Sequence, residues 1–112
     1  MKLNFKEKNL FMNMQQMLQQ VKKMQREYEK QHKILEETVF EGSANGVVKV
    51  YLKGDFTIDR IEILDDDILN KDDKDTLEES IKLAYQSAKD QIMSKEDELT
   101  AKFQKQPGGM LF

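Results

Sequence analysis

Between Leu10 and Leu35 the apolar side chains fall at Leu10, Met14, Met17, Val21, Met24, Tyr28 and Leu35, with Gln31 in the one missing place. The intervals alternate between four and three, a heptad pattern sustained over more than three repeats. No proline or glycine interrupts it, and the other positions are mostly Gln, Lys, Glu and Met, which favour helix. The pattern predicts a long first helix with one narrow apolar seam, ending near Glu37.

The periodicity then changes. Thr38-Val39-Phe40 leads into Gly42-Ser43-Ala44-Asn45-Gly46, where the Asn-Gly pair signals a hairpin. Val47 to Lys53 is β-branched and aromatic, with Val48, Val50 and Leu52 on one face. Gly54-Asp55 marks a second turn, and a third strand is expected from Phe56 to Leu64. A three-stranded meander leaves two free edges, which need protection or invite pairing with another copy.

Asp65 to Asp75 reads as a polar connector. Asp72, Asp73 or Asp75 is placed to cap the next helix, and Asp75-Thr76-Leu77-Glu78 resembles a capping box. Leu77, Ile81, Ala84 with Tyr85, Ala88, Ile92, Leu99 and Phe103 recur at helical spacing. They predict a second long helix to about Gln104, stopped by Pro107-Gly108-Gly109. Met110-Leu111-Phe112 is expected as a loose or docking tail. The fold class is α+β: an α-β-β-β-α subunit with long terminal helices around an antiparallel meander. Residues 1–9 are expected as an extension, 10–106 as a single domain and 107–112 as the tail.

A chain of 112 residues suits one domain, and one this small leaves much apolar surface exposed unless two copies share a core. With 38% hydrophobic and 35% charged residues, long helices that dimerise are a better expectation than a compact monomer. Cysteine is absent, which excludes disulfides, a thiol nucleophile and cysteine-ligated zinc, and fits a reducing cytosol. No apolar run approaches the ~20 residues of a membrane span. Lys6, Glu7 and Lys8 break any apolar core of a secretory signal. A cytoplasmic protein is expected.

Net charge is −3, but residues 1–35 carry +5 and residues 36–112 carry −8. With Met14, Val21 and Tyr28 at heptad position a, Lys22 falls at b, Lys23 and Lys30 at c, and Arg26 and Lys33 at f. All five lie opposite the apolar seam, interrupted only by Glu29. They make a basic stripe roughly 16 Å long at 1.5 Å per residue. That length covers several phosphates of a duplex. Without a base-stacking aromatic motif or a helix-turn-helix, it suggests backbone contact with little base readout. The blander alternative is an ordinary solvated helix face.

Other chemistry finds less support. Asp65 and Asp67 alternate as in a calcium loop, but Leu69 and Asn70 occupy the fifth and sixth positions and break the ligand pattern. His32 lies among Lys30, Gln31 and Lys33 and is expected as a solvated helix residue. The glycines form no phosphate loop, and nothing places paired carboxylates in an apolar cleft. Met12, Met14, Met17 and Met24 suit an adaptable partner surface, or more simply a helix–helix seam. No catalytic residue, cofactor or metal site is expected.

Several segments resemble the YbaB/EbfC family of small bacterial nucleoid-associated proteins. Asn13 to Gln25 is similar to the family's Met- and Gln-rich opening helix. Gly42-Ser43-Ala44-Asn45-Gly46-Val47-Val48-Lys49-Val50, then Gly54 and Ile61-Glu62-Ile63, are similar to its meander. The acidic connector, Ala84 and Ala88 in the second helix, and Pro107-Gly108-Gly109-Met110 complete the likeness over about residues 10–112. The resemblance implies a dimer joined through its sheet with helices projecting like tweezer arms. It also implies binding to double-stranded DNA with low or variable sequence preference, a nucleoid location, effects on gene expression and no enzymatic activity. The site expected from the stripe is Lys22, Lys23, Arg26, Lys30 and Lys33. The rival expectation is a protein–protein adaptor that uses the projecting helices.

Overall fold

The computed structural model describes residues 5–104, with side chains from Leu10 onward. The order is α1 (Phe5–Glu37), β1 (Val39–Ala44), β2 (Val48–Lys53), β3 (Ile58–Ile63), a single 3-10 turn (Asp66–Ile68) and α2 (Lys74–Gln104). The expected α-β-β-β-α layout is therefore present. The tail from Pro107 and the first four residues of the extension lie outside the described residues.

The sheet is an antiparallel meander in the order β1-β2-β3. Its first turn has positive φ at both Asn45 and Gly46, 55° and 67°, as a tight hairpin that follows the strand twist requires. Asn45 Nδ2 also donates to Ser80 Oγ at 2.9 Å, fixing the turn to α2 through a fully buried hydroxyl. In the second turn Asp55 Oδ1 accepts the Thr57 backbone N–H at 2.9 Å. This hydrogen bonding holds the Asp55 carboxyl below its ordinary 3.8. The register slips between Tyr51 and Leu52, where Tyr51 faces Arg60 but Leu52 faces Ile58.

Period-two alternation sorts the two faces of the sheet. Val48, Val50 and Leu52 are fully buried and form the core with Ala84, Ala88 and Ile92 of α2. Gly42, opposite Val50 on this face, is where the backbone of α2 lies directly on β1. A Cβ there would overlap the Ala84 carbonyl oxygen and stand 2.6 Å from the Ala88 nitrogen. Small residues at Ala84 and Ala88 permit the approach. On the other face, charges pair: Lys49 Nζ meets Glu41 at 2.9 Å, and Arg60 lies 4.2 Å from the centre of the Tyr51 ring. The Glu41 hydrogen bond and charge raise the Lys49 pKa above 10.5.

The core is lopsided. α2 packs chiefly over β1 and β2. Ile61 and Ile58 stand opposite Val50 and Leu52 on the core face, yet remain 45% and 50% exposed. The heptad seam of α1 is likewise covered over only part of its length. Met24 and Leu35 are buried, whereas Leu10, Met14 and Met17 are more than half exposed. α2 ends at Gln104, and α1 continues past it.

Candidate nucleic-acid interface

The basic stripe depends on which way α1 is rolled, and α2 sets the roll. Phe103, near the end of α2, is buried, and its ring meets Tyr28 edge-on. Gln31 accepts from Lys102 Nζ at 3.2 Å while donating to Glu27 at 3.1 Å. Met24, Tyr28, Gln31 and Leu35 therefore face inward, as the heptad assignment requires. Lys22, Lys23, Arg26, Lys30 and Lys33 are all exposed.

These five cations differ from several others in the chain by their lack of partners. Lys49, Arg60, Lys74 and Lys95 each pair with a glutamate. Among the described residues, none of the five on α1 is in a salt bridge. Arg26 makes only a long 3.4 Å contact from Nε to the Lys22 carbonyl. An unpaired guanidinium or ammonium on a rigid helix can meet an anionic polymer without first losing an internal partner. The site is a charged surface, suited to phosphate contact.

One cation was not anticipated from the sequence. Lys102 of α2 reaches across to α1 and lines a shallow cleft with Lys23, Gln31 and Phe103. Its helix is diluted by Glu96, Asp97 and Glu98, so charge counting gave no signal for it. Only the position of Phe103 as the last apolar residue of α2 points to a meeting with the basic helix there.

His32 differs from its expected solvated environment. It lies between the helices, one-third exposed, with Nδ1 3.0 Å from Glu36 and Nε2 3.7 Å from Glu96 of α2. Its ring stacks on Tyr28 at 5.8 Å. Hydrophobic periodicity could not reveal this, because His32 is one position past the seam and Glu96 belongs to a distant segment.

The acidic connector is organised by its own asparagine. Asn70 Oδ1 accepts from the backbone nitrogens of Asp72 and Asp73, each at 2.9 Å, while its amide donates to Asp73 at 2.6 Å. Asp65 caps the 3-10 turn by accepting from the Asp67 nitrogen. The Asp73 carbonyl accepts from Leu77 and α2 begins at Lys74, so of the three aspartates expected as caps it is Asp73 that precedes the helix, ahead of the Asp75 capping box. Among the described residues no group of acids and histidines has the arrangement to hold a metal ion. Nor is any described helix long and apolar enough to cross a membrane.

The comparisons with known proteins agree with this architecture. A nucleoid-associated protein of Ureaplasma parvum is 39% identical over 77 residues, covering 69% of this chain and 77% of its own. One from Malacoplasma penetrans is 34% identical over 89 residues, or 80% and 94% of the two chains. One from Ligilactobacillus salivarius is 33% identical over 100 residues, or 88% and 95%. The fold is similar to the crystal structure of an uncharacterized Helicobacter pylori protein, with a TM-score of 0.62 at 16% identity, covering 90% of this chain and 97% of that one. The family model for the YbaB/EbfC DNA-binding family matches residues 10–107. With the long helices, the three-stranded meander and that match over most of its length, the chain belongs to the YbaB/EbfC DNA-binding family.

Proposed function

We propose that this protein binds double-stranded DNA as a homodimer, mainly through phosphates, and acts in nucleoid organisation and gene expression without catalysing a reaction. The observation that carries the reading is the set of five exposed cations on α1, none of them in a salt bridge among the described residues, with Lys23 at the edge of the cleft it shares with Lys102 of α2. Family membership and the names of the relatives supply the class of ligand. Lys22, Lys23, Arg26, Lys30 and Lys33 contact successive phosphates, and the acidic remainder of the chain keeps the complex weak and sensitive to salt.

Dimerisation is supported by the uncovered side of the sheet. Ile58 and Ile61 carry the core face to an unpaired β3 edge, where a twofold-related copy would cover the same residues it presents. Joining two subunits doubles the basic surface. An adaptor function is the second reading, favoured by the exposed apolar end of α1.

The test is fluorescence anisotropy with an unrelated duplex, from low salt to about 0.2 M. A slope of log K against log salt near −0.9 per phosphate, equivalent to several contacts, is expected. Replacing the five cations with Ala should flatten the slope and weaken binding with the dimer intact. Unchanged affinity in a folded, dimeric variant rejects this site.

A further inference from the structure

The seam of α1 changes character where α2 stops. From Met24 to Leu35 it faces α2. From Leu10 to Leu18 the same heptad positions continue with no described element over them, Val21 being half-buried where the cover of α2 begins, and Phe11 and Leu18 at position e widen the row. Leu10, Phe11, Met14, Met17 and Leu18 are each 54–63% exposed. An apolar stripe three positions wide in seven is the face of a helix that packs against other helices.

Charge narrows the choice of occupant. Residues 10–21 read Leu-Phe-Met-Asn-Met-Gln-Gln-Met-Leu-Gln-Gln-Val, without a charged side chain, in a chain that is 35% charged. An acidic or basic partner finds no counter-charge there, and two copies of the segment meet without repulsion. Seam positions Leu10, Met14, Met17 and Val21 can interdigitate with themselves about a twofold axis. Asn13 and Gln20 at position g flank that contact with amides that donate and accept equally.

We propose that residues 10–21 form a second self-association surface, on which the α1 tip of another copy of this chain docks seam to seam. A tip of twelve residues is about 18 Å long and about 10 Å across, or on the order of 200 Å² of contact per side. That is far below the ~800 Å² per partner of a stable interface. A single tip pair is therefore weak. Two tips on a dimer joined through its sheet engage together and gain from the linkage. The inference in this respect rests on the homodimer of the preceding section, and its consequence is reversible coupling of dimers to one another.

The lack of native cysteine makes the test direct. Full-length chains carrying Met17→Cys on the seam, or Gln19→Cys on the back of the same helix, are freed of nucleic acid and mildly oxidised. Tip docking predicts disulfide-linked pairs forming several-fold faster with the seam cysteine, and slower again when Leu10 and Leu18 are changed to Ser in that chain. Sedimentation of the wild type should show species heavier than a dimer at high concentration, and Met17→Glu should abolish them. Equal rates on the two faces overturn the proposal. So does a seam cysteine that links only after residues 110–112 are deleted, because the chain's own tail would then be the occupant. A wild type that sediments as a monomer, with no seam-specific linkage, rejects both interfaces. A dimer unaffected by Met17→Glu and without seam linkage rejects the tip alone.

Discussion

The Phe103 ring meets the Tyr28 ring edge-on, with centroids 5.5 Å apart and planes at 85°. This contact joins residues at opposite ends of the sequence and fixes the last turn of α2 against the middle of α1. Edge-to-face rings contribute about 0.5–1.5 kcal/mol beyond the area they bury. Phe103 is only 2% exposed, so its truncation also opens a cavity. Phe103→Ala is expected to destabilise the chain by about 3 kcal/mol. Urea unfolding measures that loss. Hydrogen exchange should rise first in α1 near Met24 and in the last turns of α2, while the strands remain protected.

Gly42 tests the packing of helix on sheet. The obstacle to a side chain there is the backbone of α2, which cannot rotate away as a side chain would. Gly42→Ala is expected to destabilise by at least the ~1–3 kcal/mol of overpacking. Its thermal midpoint should fall sharply. Gly46→Ala supplies the contrast: nothing lies within 4 Å of the added Cβ, and the cost comes only from φ of +67°. A Gly42→Ala chain as stable as the wild type would contradict the contact between α2 and β1.

Much of this architecture was legible in the sequence because local chemistry and tertiary structure agree. Asn45-Gly46 turns where its conformational freedom is needed, and Val48, Val50 and Leu52 alternate because one side of β2 is buried. The seam was legible as a pattern, but its cover was not. Met14 and Met24 share the same heptad logic, yet only Met24 has α2 beside it, since that depends on where a distant helix ends. Lys102 and His32 were missed for a related reason. Each gains its neighbours across the α1–α2 contact, and periodicity within one helix carries no information about the other.

Asp55 gives a pH signature. Its carboxyl is held below 3.8 by hydrogen bonding to Thr57. The folded state binds this proton less readily than the unfolded state, so the group's contribution is fully present above the unfolded pKa. It fades as pH falls through the lower folded value. Asp55→Asn should therefore lose little extra stability on acidification at this site, whereas the wild type loses its contribution below about pH 4. Urea midpoints for both chains at about pH 6 and about pH 3 test the difference. Parallel shifts in the two would remove Asp55 from the acid response.

Lys102 provides a sharper test of the nucleic-acid face than the five-residue replacement. It shares a cleft with Lys23, donates to the neutral Gln31 and lies 5.5 Å from the centre of the Phe103 ring, with no carboxylate paired to it among the described residues, so its charge is available to a phosphate lying along α1. Lys102→Ala is expected to reduce the salt slope by about one contact, uniformly across duplex sequences. Lys49→Ala is the control, since Lys49 is paired with Glu41 on the open face of the sheet. Its slope should remain that of the wild type. If Lys49→Ala flattens the slope and Lys102→Ala does not, the duplex lies across the sheet and the assignment to α1 fails. If both change it equally, long-range net charge governs binding, and no particular face does.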